Sequence, residues 1–488
     1  MKSHSTCFDS IAVGVGKAIS RKSNYTLGLS ETRDVPILHY ARHTMDSRTS
    51  HAAASKALLA AEARYITNNP LSKQIYDQAT SSLPGGNTRT VLHTFPFPLA
   101  ITHGKGAHVW DADGHEYLDL VGELSAGLYG HSNPTIHNAI QRVLSSTGLS
   151  LGGQTPYEQR FASLLCARFH LDSVRMTNSG TEANLHALAG ARRFTGRRKV
   201  VVFSGGYHGA VLSFPDGKPA ENVVDKGDFV VVPRYNDVEL AQEVIKKVGN
   251  ELAAVLIEPM QGAGGCIVGK RAFLHAVQEV AREVGALFIL DEVMTSRLAP
   301  GGLGAELGLK PDLMTMGKYL GGGFAFGAFG GREEVMRVFD PREPGALAHS
   351  GTFNNNTMSM CVGATGLEEV FTPEVCVKFN AKGDSLKKRL QDIARGTRLT
   401  FTGRGSLIGL HFTEDGMQDI ICGEDLKGRD RKDLRDLFWF EMLEAGYWIT
   451  RRGFIALILE TSDDELDAFV QAVKEFLQKH KNLMTVGA

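Results

Sequence analysis

The sequence predicts an α/β protein: a mostly parallel, helix-covered sheet, followed by a smaller α+β lobe. Three observations carry this. Between about residues 155 and 345, short apolar runs alternate with helical stretches, the pattern of a parallel sheet with helices on its faces. Polar, glycine-rich punctuation recurs after those runs, at the carboxyl ends of strands, where such sheets bind ligands. From about residue 360 the pattern changes to helix, strands and a final amphipathic helix over 463–480.

Taken in order, the first 50 or so residues are rich in Ser, His, Lys and Arg and lack sustained periodicity, so a disordered extension is expected there. A mitochondrial targeting segment would be basic and poor in acids, and Asp9, Glu31, Asp34 and Asp46 dilute that signal. Residues 50–82 read as helix, with Leu58, Leu59, Ala61 and Tyr65, then Leu71, Ile75 and Tyr76, at helical spacing. Leu83-Pro84-Gly85-Gly86-Asn87 breaks that pattern. Short strands are expected at 108–110 and 117–120, around the turn Asp111-Ala112-Asp113-Gly114. Seven further strands are expected at 173–176, 199–203, 229–232, 253–257, 287–290, 313–316 and 325–330. The domain boundaries that follow are an extension over 1–50, an N-terminal part of the small domain over 51–125, a large domain over 126–360 and a C-terminal small α+β domain over 361–488.

Composition bounds the function. A chain of 488 residues requires more than one lobe, and 43% hydrophobic residues rule against wholesale disorder. A formal charge of −1 gives no electrostatic case for nucleic acid or an anionic membrane as partner. No apolar run approaches the roughly 20 residues of a membrane span. The six cysteines are scattered, with no Cys-x-x-Cys and no His/Cys cluster. That argues against structural zinc and disulfides, so no metal is expected, and it fits a reducing compartment, the cytoplasm.

The chemistry centres on Lys318, set in Met316-Gly317-Lys318-Tyr319-Leu320-Gly321-Gly322-Gly323. An amine in desolvated surroundings loses its proton readily, which suits a Schiff-base lysine. A loop lysine paired with a carboxylate is the plain alternative. Asp291 ends the apolar run Leu287-Phe288-Ile289-Leu290, and an acid there suits the pyridine nitrogen of pyridoxal phosphate (PLP). Glu258 likewise ends an apolar run, and buried strands do not tolerate acids without partners. Asn178-Ser179-Gly180-Thr181-Glu182 puts hydroxyls and a glycine where a helix begins, which makes either an anion cup or a simple cap. Gly205-Gly206-Tyr207-His208-Gly209 lets a ring stand clear of the backbone, or is a plain turn. His349-Ser350-Gly351-Thr352 is a turn that could also deliver a hydroxyl to a phosphate.

The order Asn178-Ser179-Gly180-Thr181-Glu182-Ala183, Gly206-Tyr207-His208-Gly209, Glu258-Pro259, Asp291-Glu292-Val293, Gly317-Lys318 and Gly351-Thr352 resembles the class III aminotransferases of PLP fold type I. The resemblance covers roughly residues 55 to 480. It implies a large domain around a seven-stranded sheet, a small domain built from both chain ends, PLP as cofactor, and a homodimer with shared active sites. By position, Lys318 would be the Schiff-base and proton-moving residue, Asp291 would pair with the pyridine nitrogen, and Val293 and Tyr207 would flank the ring. Ser179, Gly180 and Thr181 would hold the phosphate, and Thr352 would reach the phosphate of the neighbouring subunit.

Within that family the chain is similar to the glutamate-1-semialdehyde aminomutase branch, and more narrowly to β-amino acid (β-phenylalanine) transaminases. The stretches Pro84-Gly85-Gly86-Asn87-Thr88-Arg89 and Ala348-His349-Ser350-Gly351-Thr352-Phe353-Asn354-Asn355 depart from the aminomutase pattern. A substrate carboxylate needs a cationic fork, which arginine supplies. Arg89 resembles the arginine that reads the β-amino acid carboxylate. Arg451-Arg452 resembles a second, mobile site, with Arg452 the favoured member and a solvated turn the alternative. The expected reaction is ping-pong transfer from a β-amino acid to a keto acid such as 2-oxoglutarate or pyruvate. Aminomutase-type isomerisation is the alternative activity, and a non-enzymatic PLP-binding homologue is a further rival.

Overall fold

The structure, a computed structural model, describes residues 37–486, with side chains from Ser50 onward. The expected disorder or targeting role of residues 1–36 lies outside the described residues. The chain divides into two compact units at Ser47 and Arg48, and the first helix, α1 (Ile37–Asn68), runs through the predicted boundary at residue 50. The reason is legible: no Gly or Pro occurs between Ile37 and Asn69 to stop a helix. The helical pattern read over 50–82 is carried by two helices. Pro70 begins α2 (Pro70–Ala79), because proline cannot continue a helix but is well placed to start one.

Strands β1 (Ile101–Lys105), β2 (His108–Asp111) and β3 (Glu116–Asp119) form an antiparallel meander. Helices α3 (Pro134–Arg142) and α4 (Pro156–Phe169) lead into the large sheet. That sheet begins with β4 (Ser173–Thr177), crosses over through α5 (Gly180–Thr195), and continues with β5 (Lys199–Phe203), β6 (Phe229–Val232) and β7 (Leu252–Ile257). A short hairpin, β8 (Met260–Gln261) and β9 (Ile267–Val268), precedes β10 (Leu287–Asp291), β11 (Leu313–Gly317) and β12 (Gly327–Gly331). The spatial order is β4-β12-β11-β10-β7-β5-β6, and all seven predicted strands are present within a residue or two.

Strands β7, β10 and β11 are buried along their whole length, as their uninterrupted apolar runs require. The strand β12 runs antiparallel to both neighbours, the one departure from a parallel sheet. Its sequence, Gly-Ala-Phe-Gly-Gly, is poor for a strand by propensity, and close approach explains it. A Cβ on Gly327 would lie 2.1 Å from the Ser179 carbonyl oxygen.

The C-terminal part contains β13 (Leu399–Arg404), β14 (Leu407–Phe412), β15 (Tyr447–Trp448) and β16 (Phe454–Ala456). Strands β13, β14 and β16 form an antiparallel sheet. The strand β15 pairs in parallel with β3, so the N-terminal meander is completed by the far end of the chain. The last long helix, Asp463–Lys479, opens on a capping box of Ser462 and Glu465. Among the described residues no helix is long and apolar enough to cross a membrane.

Candidate active site

Six strands of the large sheet point the same way, so five sequence motifs that follow β4, β5, β7, β10 and β11 meet at one edge. There they line a pocket of about 1490 Å³. Ser179, Gly180, Thr181, Tyr207, Asp291, Val293, Lys318, Arg89 and Arg452 all lie on its wall. Thr352 does not line it and is exposed on this chain.

Ser179 caps α5, its Oγ accepting from the Glu182 N–H at 3.2 Å. The N–H groups of Gly180 and Thr181, at the helix start, have no carbonyl within the helix to reach. Gly180 also permits close approach: a Cβ there would meet Val293 Cγ1 at 2.7 Å. Tyr207 follows β5 on a glycine-flanked turn and is 46% exposed toward the pocket.

Asp291 is buried at the end of β10 with three polar partners. One oxygen accepts from Asn184 Nδ2 at 2.9 Å and contacts His208 Nδ1 at 2.8 Å; the other accepts from the Val293 N–H at 3.0 Å. Asn184 is itself held by Thr315, whose Oγ1 donates to Asn184 Oδ1 at 2.9 Å. Asn184 and His208 were not among the predicted site residues. The signal was present, since a buried strand-end acid demands partners, but nothing in the spacing named them.

Glu258 bridges two loops by accepting from the backbone N–H groups of Tyr207 and Gly262, each at 3.0 Å. Burial raises its pKa to about 7. Lys318, directly after β11, is half-buried at φ 57°, a left-handed conformation costing roughly 1 kcal/mol for a side-chain-bearing residue. Burial lowers its pKa to about 8; Asp291 and Glu258 oppose the shift, and Arg452 and Arg297 add to it. Against the plain alternative of a loop lysine paired with a carboxylate, Lys318 feels Asp291 and Glu258 only at a distance, with no hydrogen bond to either.

The two arginines differ. Arg89 pairs with Glu123, also on the pocket wall. Arg452 lies over the Phe454 ring, 5.5 Å from its centroid, and no carboxylate pairs with it among the described residues. Its neighbour Arg451 is committed elsewhere, forked onto Asp436 by two 2.9 Å contacts and packed over Trp439 and Phe440.

Glu123 sits on an unusual turn. Gly122, Glu123, Leu124 and Ser125 have φ of 49°, 48°, 54° and 80°, four consecutive left-handed residues. Such a run persists only where its surroundings over-determine it. Asp119 Oδ1 accepts from the N–H groups of Val121 and Gly122 at 2.8 and 2.9 Å. The fully buried Arg297 donates to the Ser125 and Leu457 carbonyls at 3.1 and 2.6 Å and to Ser406 Oγ at 3.1 Å.

A lysine of lowered pKa, a strand-end aspartate held by three partners and an open helix start, gathered at the carboxyl edge of this sheet, define a fold type I PLP enzyme. Comparison with known proteins gives the family. Residues 92–477 match aminotransferase class-III, and the chain belongs to that family of PLP-dependent transaminases. It is 48% identical over 438 residues to the β-phenylalanine transaminase of Variovorax paradoxus, covering 89% of this chain and 99% of that one. It is 34% identical over 430 residues to a glutamate-1-semialdehyde 2,1-aminomutase of Bacillus pumilus, covering 84% and 98%. The crystal structure of a β-phenylalanine aminotransferase from Variovorax paradoxus matches with a TM-score of 0.86 at 47% identity, over 89% of this chain and 100% of that chain.

Proposed function

We propose that this transaminase takes the amino group of a β-amino acid with an apolar or aromatic side chain and delivers it to a keto acid such as 2-oxoglutarate or pyruvate. The observation that carries the reading is the presence of two arginines, Arg89 and Arg452, on the wall of the pocket that holds Lys318. One cationic fork is enough for a monocarboxylate, while a dicarboxylate acceptor and an apolar donor sharing one pocket call for a second that can be used or left.

The pocket fits PLP. The free N–H groups at the start of α5, with Ser179 and Thr181 beside them, would hold its phosphate. Asp291, fixed by three donors, would pair with the ring nitrogen. Val293, pressed against Gly180, and Tyr207 would flank the ring. When bound, PLP supplies a cationic ring that stabilises negative charge at the amino-bearing carbon.

The chain's residues would do the rest. Lys318 Nζ, with its lowered pKa, is suited to accept the proton from that carbon and to pass it on to the cofactor. Arg89 would hold the β-carboxylate and so set which carbon faces Nζ. Arg452 would receive the α-carboxylate of the acceptor and turn aside for an apolar side chain. Thr352, exposed on its own chain, would serve the phosphate site of a second copy, which makes the working unit a homodimer.

The test is a half-reaction. Enzyme carrying PLP is mixed with β-phenylalanine and no acceptor, and the long-wavelength absorbance of the cofactor is followed. Loss of that absorbance, reversed by 2-oxoglutarate, is the expected outcome. No change with any β-amino acid would overturn the reading, and conversion of glutamate-1-semialdehyde without an acceptor would replace it with an aminomutase.

A further inference from the structure

The two pocket arginines are in different electrostatic states. Arg452 has no carboxylate partner among the described residues, while Arg89 is already paired with Glu123. Glu123 is not a passing surface acid. It is carried on the four-residue left-handed turn 122–125, anchored at one end by Asp119 and at the other by the guanidinium of the buried Arg297. The next strand over fixes it again, because the Ala456 N–H donates to the Leu120 carbonyl at 2.8 Å. A conformation this unfavourable, held at both ends and presenting a carboxylate to the pocket, marks a feature tied to the site.

We infer that Glu123 is a specificity-determining residue: a built-in carboxylate that occupies Arg89 until a substrate carboxylate displaces it. The inference rests on the reading of Arg89 as the arginine that binds the substrate carboxylate. Arg89, 41% exposed, gains a modest ion pair from Glu123 when no substrate carboxylate is there. Glu123 keeps that pair whenever the bound acceptor has a single carboxylate, taken by Arg452. A β-amino acid or a dicarboxylate must instead compete with Glu123 for Arg89. The pair therefore narrows the affinity gap between monocarboxylate and dicarboxylate acceptors. Both side chains are substantially exposed, 41% and 57%, so the competition is modest: an ion pair of this kind is worth about two- to fivefold in binding.

The experiment uses the PLP-loaded enzyme and 3-phenylpropanoate, a carboxylate that lacks the reacting amino group, with its Kd measured by calorimetry. Four proteins are compared: wild type, Glu123→Gln, Arg89→Gln and the double variant. Glu123→Gln is expected to tighten binding about two- to fivefold when Arg89 is present and to have no effect when Arg89 is glutamine. In turnover, its KM for 2-oxoglutarate is expected to fall relative to that for pyruvate. Unchanged or weaker binding in Glu123→Gln, or an equal gain in both backgrounds, would overturn the inference, since a general charge effect does not need Arg89. Arg89→Gln binding the probe as tightly as wild type would instead sink the carboxylate assignment of Arg89 itself.

Discussion

Lys318 is the side chain on which the chemistry turns. Its amine follows a buried strand and sits in a pocket where burial outweighs the pull of Asp291 and Glu258, which brings its pKa to about 8. Covalent capture of PLP needs the neutral amine, and lowering an amine's pKa enlarges the neutral fraction at a given pH. The apo-enzyme should therefore capture PLP at a rate that climbs about tenfold per pH unit below 8 and levels off above it. Stopped-flow absorbance on apo-enzyme checks this; a rate still climbing at about pH 10 would mean an unshifted lysine. Lys318 was legible only with the other motifs in order around it, because glycines and an apolar run by themselves also suit an ordinary loop lysine. The partners of Asp291 were not, because Asn184 and His208 come from a helix and a loop 107 and 83 residues away along the chain.

At the scale of elements, the first turn of α5 does two things at once. It leaves N–H groups open toward the pocket, and it lets Val293 come close because position 180 has no side chain. Gly180→Ala places a methyl 2.7 Å from Val293 Cγ1, so either the helix start or the valine must move. Overpacking of this kind costs about 1–3 kcal/mol, which corresponds to PLP binding weakened by roughly tenfold. Equilibrium dialysis of the variant against PLP measures it, and unaltered affinity would separate this contact from the cofactor site. The helices and strands themselves were largely readable from periodicity. Two details have physical causes: Pro70 divides the helical stretch into two helices, and β12 is glycine-rich because its neighbours crowd positions 327, 330 and 331.

For the whole molecule, the telling residue is Thr352, predicted from its motif to serve a phosphate site yet absent from the pocket of its own chain. In a homodimer with shared sites, a chain with Lys318→Ala and a chain with Thr352→Ala each keep what the other lacks. Mixing the two after joint unfolding and refolding should regenerate one complete site per hybrid dimer, with activity at limiting PLP above that of either variant alone. Lys318→Ala by itself should lose about 10²–10⁴-fold in turnover. Mixtures no more active than their separate components would place Thr352 outside the partner's site. Such arrangements escape a reading of one chain, because the sequence carries the residue but not the copy it acts on.

Local pattern was enough for the class of fold, and the order of the motifs, through the family it resembles, for the cofactor: apolar runs and their polar ends encode a parallel sheet, and a parallel sheet brings its strand ends to one edge. The tertiary structure alone decided the electrostatic state of that pocket. Whether an arginine is free or paired, and which groups hold an aspartate, depends on contacts between segments far apart in the chain. Arg89 meets Glu123 only because Asp119 and Arg297 hold a left-handed turn in place, and no local pattern encodes that meeting.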